Sequence, residues 1–559
     1  MKNFRLLLMF AMISVLTLAL AACADDSNVD EAASGGDGAE GAGSGDLVIS
    51  EMSDIVSLDP HGSNDVPSSN VRSNIYETLT TLDENMEVQP GLATEWEEVD
   101  ENTWRFTLAE GVTFHDGSEF NAEVVKANLD RIVDPNVASP RMFLYEMVEN
   151  VEVIDDHTVE ITTEYPFAPL LAHLSHDAGG MISEEVINAD LQAALDAAGE
   201  DMTAEEYVAQ REESGEVEVG DGFANEVGNY IADNAVGTGF FALQSRDAGS
   251  QVVLERYEDY HGDPAELNTV TFKVVPETGA RLAELESGSS HIVGKTETNN
   301  VDRVDSHPET YLNQQPLLSL SYVGFNTEKE PLNDPLVRQA ISYATDREAI
   351  IEGIYNGVGA PARGPLAPDV FGYDENAEGI EYDLDRAKEL MAEAGHEDGF
   401  SLEILTNDSP ERVDTAIFLQ EALQEINIDV DVQQREWGAY LEETAAGEHD
   451  MYVLGWSTVT GDADYGLYSL FHSSMHGDPG NRSFLSDDQV DELLEAGRQE
   501  TDPDERLAIY SELQTLLAEL EPQINIHHQD ELTGVRNEVE NFEVDALGIY
   551  QLHDVTINQ

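Results

Sequence analysis

Trp437, Tyr440, Trp456, Asp462, Asp464, Tyr465 and Arg482 gather aromatic rings, carboxylates and a guanidinium into one short stretch of chain. Side chains of these kinds suit recognition of a small polar molecule, with rings as flat walls and charges fixing orientation. The loop 455–465 carries two glycines, two aspartates and threonine. It follows Met451–Leu454, which reads as a strand, and in open α/β sheets ligands sit beyond the carboxyl ends of strands. The competing reading makes Trp437 and Trp456 core residues and the aspartates part of a solvated acidic face. Signatures of catalysis are absent: no G-x-S-x-G elbow, no H-E-x-x-H, no Walker loop and no G-x-G-x-x-G after a strand. His527 and His528 lie in a strand-like run, where neighbours point to opposite faces and do not readily share one ion. His115, before Asp116-Gly117, reads as a turn residue. Neither a metal nor another cofactor is expected, and an enzyme finds no support.

The elements that must position these groups alternate between strand and helix. Thr103–Leu108 and 157–162 have the two-residue period of half-buried strands, and Asn121 caps a helix predicted over 122–132. Residues 188–235 read as helical insertions or a surface excursion. Strands return at 251–255 and 269–274. Asp334 caps a helix with Pro335 in its first turn, where a missing N–H costs nothing. Asp383 opens another helix, which Gly395 closes. Then strand (402–405), helix (413–423) and strand (426–432) imply a right-handed crossover between parallel strands. A helix near 437–446 leads into Met451–Leu454. The body is α/β with at least two lobes.

At 559 residues the chain is long enough for three or four domains' worth of core, and 41% of it is hydrophobic. Against 114 Asp and Glu stand 26 Lys and Arg, leaving a net charge of −88. Such a surface repels phosphate backbones, which excludes nucleic acid as a partner. The acids are scattered rather than gathered in a tail, and no calcium-loop spacing occurs. A salt-adapted, solvated surface accounts for them best.

Residues 1–22 form a secretory signal: Lys2 and Arg5, the apolar run Leu6–Leu20, then Ala21-Ala22 before Cys23. Cys23 is the one cysteine of the chain, so no intramolecular disulfide forms. Leu20-Ala21-Ala22-Cys23 resembles a bacterial lipoprotein box, in which the thiol carries membrane lipid. Residues 23–45 then form an acidic Gly/Ala/Ser tether. No later run is apolar and long enough to span a bilayer. The expected body hangs outside the cell membrane.

A series of short blocks resembles the extracytoplasmic solute-binding proteins of peptide-type ABC importers, the dipeptide, oligopeptide and nickel binding family. They are Leu58-Asp59-Pro60, Gly91-Leu92-Ala93 with Trp96, and Trp104–Leu108 followed by Gly111–Gly117 and Phe120-Asn121-Ala122. Further on come Val236–Phe240 with Tyr260-His261-Gly262, Gly324–Thr327 with Pro331, Asp334 and Val337–Ala340, and Gly455-Trp456 with Gly461–Asp464. The resemblance runs from about 47 to 556.

It implies a two-lobed, hinged periplasmic-binding-protein fold with an extra subdomain on the first lobe. Lobe one would comprise 46–80, 232–306 and 527–559, the subdomain 81–231, and lobe two 307–526. A monomer would close its cleft over a peptide or small polar solute and dock on a membrane permease. In peptide-binding members an Asp three residues after the Gly-Trp tryptophan pairs with the peptide's ammonium. Here that position is Val459, so Asp462 or Asp464 would have to substitute. Arg482 and Arg363 are the candidates for the peptide carboxylate, since guanidinium binds it in bidentate fashion. Trp437 and Trp456 would wall the cleft. A small or modified peptide such as glutathione fits this departure. A metal chelate or other non-peptide solute is the alternative, with an extracytoplasmic hydrolase or an adhesion lipoprotein further off.

Overall fold

The computed structural model describes residues 45–558, apart from 221, 378, 478 and 479. The signal segment, Cys23 and the tether lie outside the described residues.

Two mixed sheets organise the body. The first runs Thr310–Pro316, Asp530–Arg536, Ile292–Val293, Asp46–Glu51, Thr269–Val274, Gln251–Arg256, Phe241–Asp247. The second runs Ala360–Pro361, Gln523–His528, Ser319–Phe325, Met451–Ser457, Phe400–Thr406, Ile428–Gln434. Phe400–Thr406 pairs in parallel with Ile428–Gln434, and helix Pro410–Leu423 makes the crossover, as the strand–helix–strand pattern requires. Every residue of Ser319–Phe325 is buried: Val323 and Phe325 join one apolar cluster and Leu320 and Tyr322 another. That double burial marks it as the spine of lobe two.

The subdomain is a four-stranded antiparallel sheet, Ala93–Asp100, Thr103–Leu108, Thr158–Thr163, Val148–Asp155, covered by helix Ala122–Ile132. Asn121 Oδ1 accepts from the N–H groups of Glu123 and Val124, so the predicted cap is in place. The turn around His115 meets the Val236–Phe240 segment: the His115 N–H donates to Gly237 O (3.0 Å) and Nε2 to Gly239 O (2.8 Å). Gly237 and Gly239 press on the helix end at Asn74-Ile75, where a Cβ would come within 2.1 and 2.5 Å of backbone oxygens. Only glycine fits that approach.

Two boundaries differ from the expected ones. Helices Glu184–Ala198 and Ala204–Ser214 are no surface excursion, nor do they share the subdomain core. Val186, Leu191, Leu195 and Tyr207 join the cluster under the first sheet. Asp190 is fully buried, pairing with Arg131, which also grips Asp59 of the Leu58-Asp59-Pro60 block at 2.7 and 3.1 Å. Thr310–Pro316, assigned to lobe two above, is the edge strand of the first sheet, held by seven-residue pairing to Asp530–Arg536. His527 and His528 remain in the second sheet.

The chain therefore crosses between lobes at Leu317-Leu318 and returns at Gln529. The crossings run side by side: Leu317 N–H donates to Gln529 O (2.9 Å), and Gln529 Nε2 to Ser321 Oγ (2.9 Å). Short paired crossings of this kind can absorb the backbone rotation of a hinge.

Candidate functional site

Strand Met451–Ser457 carries Trp456 next to its last residue, and the chain folds through Thr458–Gly461 into helix Ala463–Phe471. The loop is clamped at both ends. Thr458 N–H donates to Leu318 O at the crossing (2.8 Å), while Phe371 exchanges backbone bonds with Gly461 (2.8 Å) and Ala463 (2.9 Å). In the first turn of the helix, Tyr465 lies 5.5 Å from Trp456 and 5.9 Å from Phe143, centroid to centroid. Phe143 belongs to the short turn Met142–Leu144 of the subdomain. An aromatic row thus bridges lobe two and the subdomain. The indole Nε1 of Trp456 is buried and has no acceptor. Near the row, a groove of about 580 Å³ is lined by Met86, Trp104 and Leu171 and by Phe371, Gly461 and Asp462. His173 and His176 are buried within the subdomain; burial pushes His173 down and His176 down to about 3, so both are neutral.

The two aspartates expected to receive an ammonium are already engaged. Asp462 caps helix Ala463–Phe471 through the Asp464 N–H and takes both Arg506 nitrogens at 2.6 and 2.7 Å. Asp464, 1% exposed, is gripped in bidentate fashion by Arg498 at 2.9 and 3.0 Å. Arg498 lies 3.4 Å over the Tyr468 ring, and its carbonyl accepts from Ala168 N–H of the subdomain (3.0 Å). Releasing either carboxylate to a ligand would strand a buried guanidinium. Val459 is half-buried in the loop and adds no charge.

Arg482 is also committed. It is 2% exposed and donates to Leu441 O (2.7 Å) and Thr444 Oγ1 (2.8 Å), fastening the end of helix Trp437–Ala445. Arg363 is exposed in an outer groove with Arg347, Glu348, Glu381 and Tyr382, and shares none of that lining with the aromatic row. Trp437 is 41% exposed, stacks on Tyr440 (5.8 Å, 21°) and lies under the Arg412 guanidinium (5.5 Å). The histidine pair divides: His527 packs on Tyr355 at 4.0 Å and His528 Nδ1 donates to Ser319 O. Among the described residues no group of three His, Cys, Asp or Glu could hold a metal ion.

The sequence reading passed over two cations. Arg412 is half-buried beside Trp437, donating to Asn407 Oδ1 at 3.3 Å. It follows the carboxyl end of Phe400–Thr406 as the 455–465 loop follows its own strand, so the strand-end rule could have found it. Arg141 is 6% exposed, two residues before Phe143, in a segment with no strand end to flag it.

Two lobes carried on mixed sheets, a double crossing and a polar–aromatic seam between them define an extracytoplasmic solute-binding fold. The family model of bacterial extracellular solute-binding proteins, family 5, matches residues 87–478 through its middle region, and the chain belongs to that family, the solute-binding proteins of peptide-type ABC importers. It is 30% identical to the glutathione-binding protein GsiB of Salmonella typhi over 507 residues, covering 88% of this chain and 91% of that one. It is 28% identical to the dipeptide-binding protein of Escherichia coli K12 over 496 residues, covering 84% and 86%. Among solved structures, the Helicobacter pylori periplasmic binding protein DppA, in complex with peptide STSA, superposes with a TM-score of 0.73 at 28% identity, covering 92% and 98%.

Proposed function

We propose that this protein is the lipid-anchored substrate-binding component of an ABC importer. It captures small or modified peptides, glutathione-like ones included, at the seam between lobes and delivers them to the permease. The observation that carries this reading is the row Phe143–Tyr465–Trp456, which takes rings from both sides of the cleft. A solute that touches both sides favours the closed form over the open one, and that difference in affinity drives closure. Likeness to glutathione- and dipeptide-binding relatives over most of their length supports the ligand class.

Cys23 would carry the lipid, leaving a monomeric body on the outer face of the cell membrane. The acidic surface suits molar salt. Val459 keeps a second reading alive: with no carboxylate at that position, a metal chelate or other non-peptide solute could fill the same seam.

The deciding experiment is mass spectrometry of what leaves residues 46–559, purified in molar salt, on denaturation, joined to calorimetric titration with glutathione and dipeptides. Recovered peptides and saturable binding are expected. A non-peptide solute in the extract, with no heat from any peptide, would overturn the peptide assignment.

A further inference from the structure

The chain has 114 carboxylates for 26 lysines and arginines, so a buried arginine without a partner is unexpected. Arg141 is one. Its Nε is buried and unbonded, and among the described residues its guanidinium has neither an ion pair nor a hydrogen bond. Every other buried arginine among them donates to carboxylate or carbonyl oxygens, Arg72, Arg131, Arg281 and Arg338 included. The nearby carboxylate is not free to compensate it: Asp177 is taken by Arg72 (2.6 and 3.0 Å) and by Ser69 Oγ (2.8 Å). His176, beside Asp177, is neutral. The result, among the described residues, is a buried guanidinium with no directly bonded counter-ion at the start of the Met142–Leu144 turn, sensed only at a distance by Asp177.

Its position connects it to the seam. Phe143, two residues on, meets Tyr465 of the other lobe; burial raises the Tyr465 phenol, and the Arg141 charge offsets part of that rise. Past Tyr465 stands Trp456, whose buried indole N–H also lacks an acceptor. A donor without an acceptor thus stands at each end of one aromatic row, Arg141 on the subdomain and Trp456 on lobe two. Buried donors left open in this way each cost folding free energy, which an incoming acceptor recovers.

We propose that Arg141 holds a carboxylate of the bound ligand at this seam. The assignment rests on the solute-binding reading above and names the ligand's anionic end. It replaces Arg363 and Arg482 in that role. A guanidinium receives a carboxylate through two parallel hydrogen bonds, and an amide in its place forfeits the charge. A carboxylate held beside the Phe143–Tyr465 contact also ties ligand capture to lobe closure.

The test uses the body in molar salt, with Ala-Ala, Ala-Ala amide and glutathione as titrants. Arg141→Met is expected to weaken binding of whichever acid binds by at least tenfold and to abolish preference for Ala-Ala over its amide. Arg141→Lys should restore part of that preference, and Arg363→Gln should leave it unchanged. Unchanged acid affinity in Arg141→Met would overturn the assignment. If no titrant binds the wild type, the peptide reading fails, and the solute released on denaturation becomes the probe; one without an acidic group overturns Arg141's role as well. A ligand-free measurement stands beside these. Removing an uncompensated buried charge should raise the melting temperature of the emptied protein in Arg141→Met, whereas a merely structural arginine would lower it.

Discussion

The loop Thr458–Asp464 and the turn beginning at Arg141 flank the same aromatic row from opposite lobes and treat charge in opposite ways. In the loop every buried carboxylate has its guanidinium: Asp462 with Arg506, Asp464 with Arg498. In the turn a buried guanidinium has no bonded carboxylate among the described residues. Paired charges inside a protein are scaffold, because separating them exposes both to a low-dielectric interior. An unpaired one is kept where something else arrives to pair it. Asp462, Asp464 and Arg482, which resemble binding groups in sequence, are thus consumed by the fold, and the charge left open sits in an undistinguished segment.

The largest expected effect separates surface from interior. Lowering salt from molar to millimolar lengthens the Debye length from about 3 Å towards 30 Å. With a net charge of −88, we expect unfolding or a steep fall in melting temperature. A flat melting temperature across that range would end the salt-adapted reading. The buried pairs are screened little, so their contribution should stay constant over the same range.

Next comes Arg506→Ala, which leaves Asp462 buried and unpaired at a helix cap and should cost about 3–5 kcal/mol by denaturant titration. Asp462→Asn should lose less, since it keeps the cap. If Asp462→Asn abolished ligand binding while leaving stability intact, the loop aspartate would be a ligand group and the contrast between the two regions would collapse.

Glu51 sharpens the comparison from the acidic side. It ends the central strand of the first sheet, 2% exposed beside Tyr550, and burial raises its carboxyl to about 7. Its folded value lies above the unfolded one, near 4.5, so the protonated form is favoured on folding. That stability is complete below about pH 4.5 and disappears as pH rises through 7. At pH 8 the buried carboxylate costs on the order of 3 kcal/mol. Glu51→Gln should therefore stabilise the protein at pH 8 and do nothing at pH 4.5, compared by thermal melts at the two pH values; equal shifts at both would mean that ionisation is not involved. Smallest of all, Arg363→Ala should change stability by less than about 0.5 kcal/mol, as for an exposed side chain without a partner, and leave affinity as it was. A tenfold loss of affinity would restore it as a ligand contact.

Helices and strands were legible where periodicity and caps agreed. Asn121, Asp334 and Asp383 each accept from the first turn of the helix they were expected to open. The crossover at 400–434 followed from strand–helix–strand spacing. Less legible was membership: 188–235 reads as helical insertions or a surface excursion because Ala, Glu and Asp are frequent there; helices do form, and a few apolar residues at helical spacing carry them into the first core. Thr310–Pro316 looks like the start of the second lobe because it precedes it in the chain, while its partner strand lies more than two hundred residues away.

The sequence by itself determined what depends on neighbours in the chain: the signal and lipobox pattern, the acidic balance, the caps and turns, and the short blocks that mark the family. Tertiary structure decided what depends on distance in space. It decided that Asp462 and Asp464 meet Arg506 and Arg498, that Arg482 fastens a helix, and that Arg141 forms no ion pair among the described residues. Whether a charge is spent or available is a property of its partners, and those partners come from elements that only folding brings together.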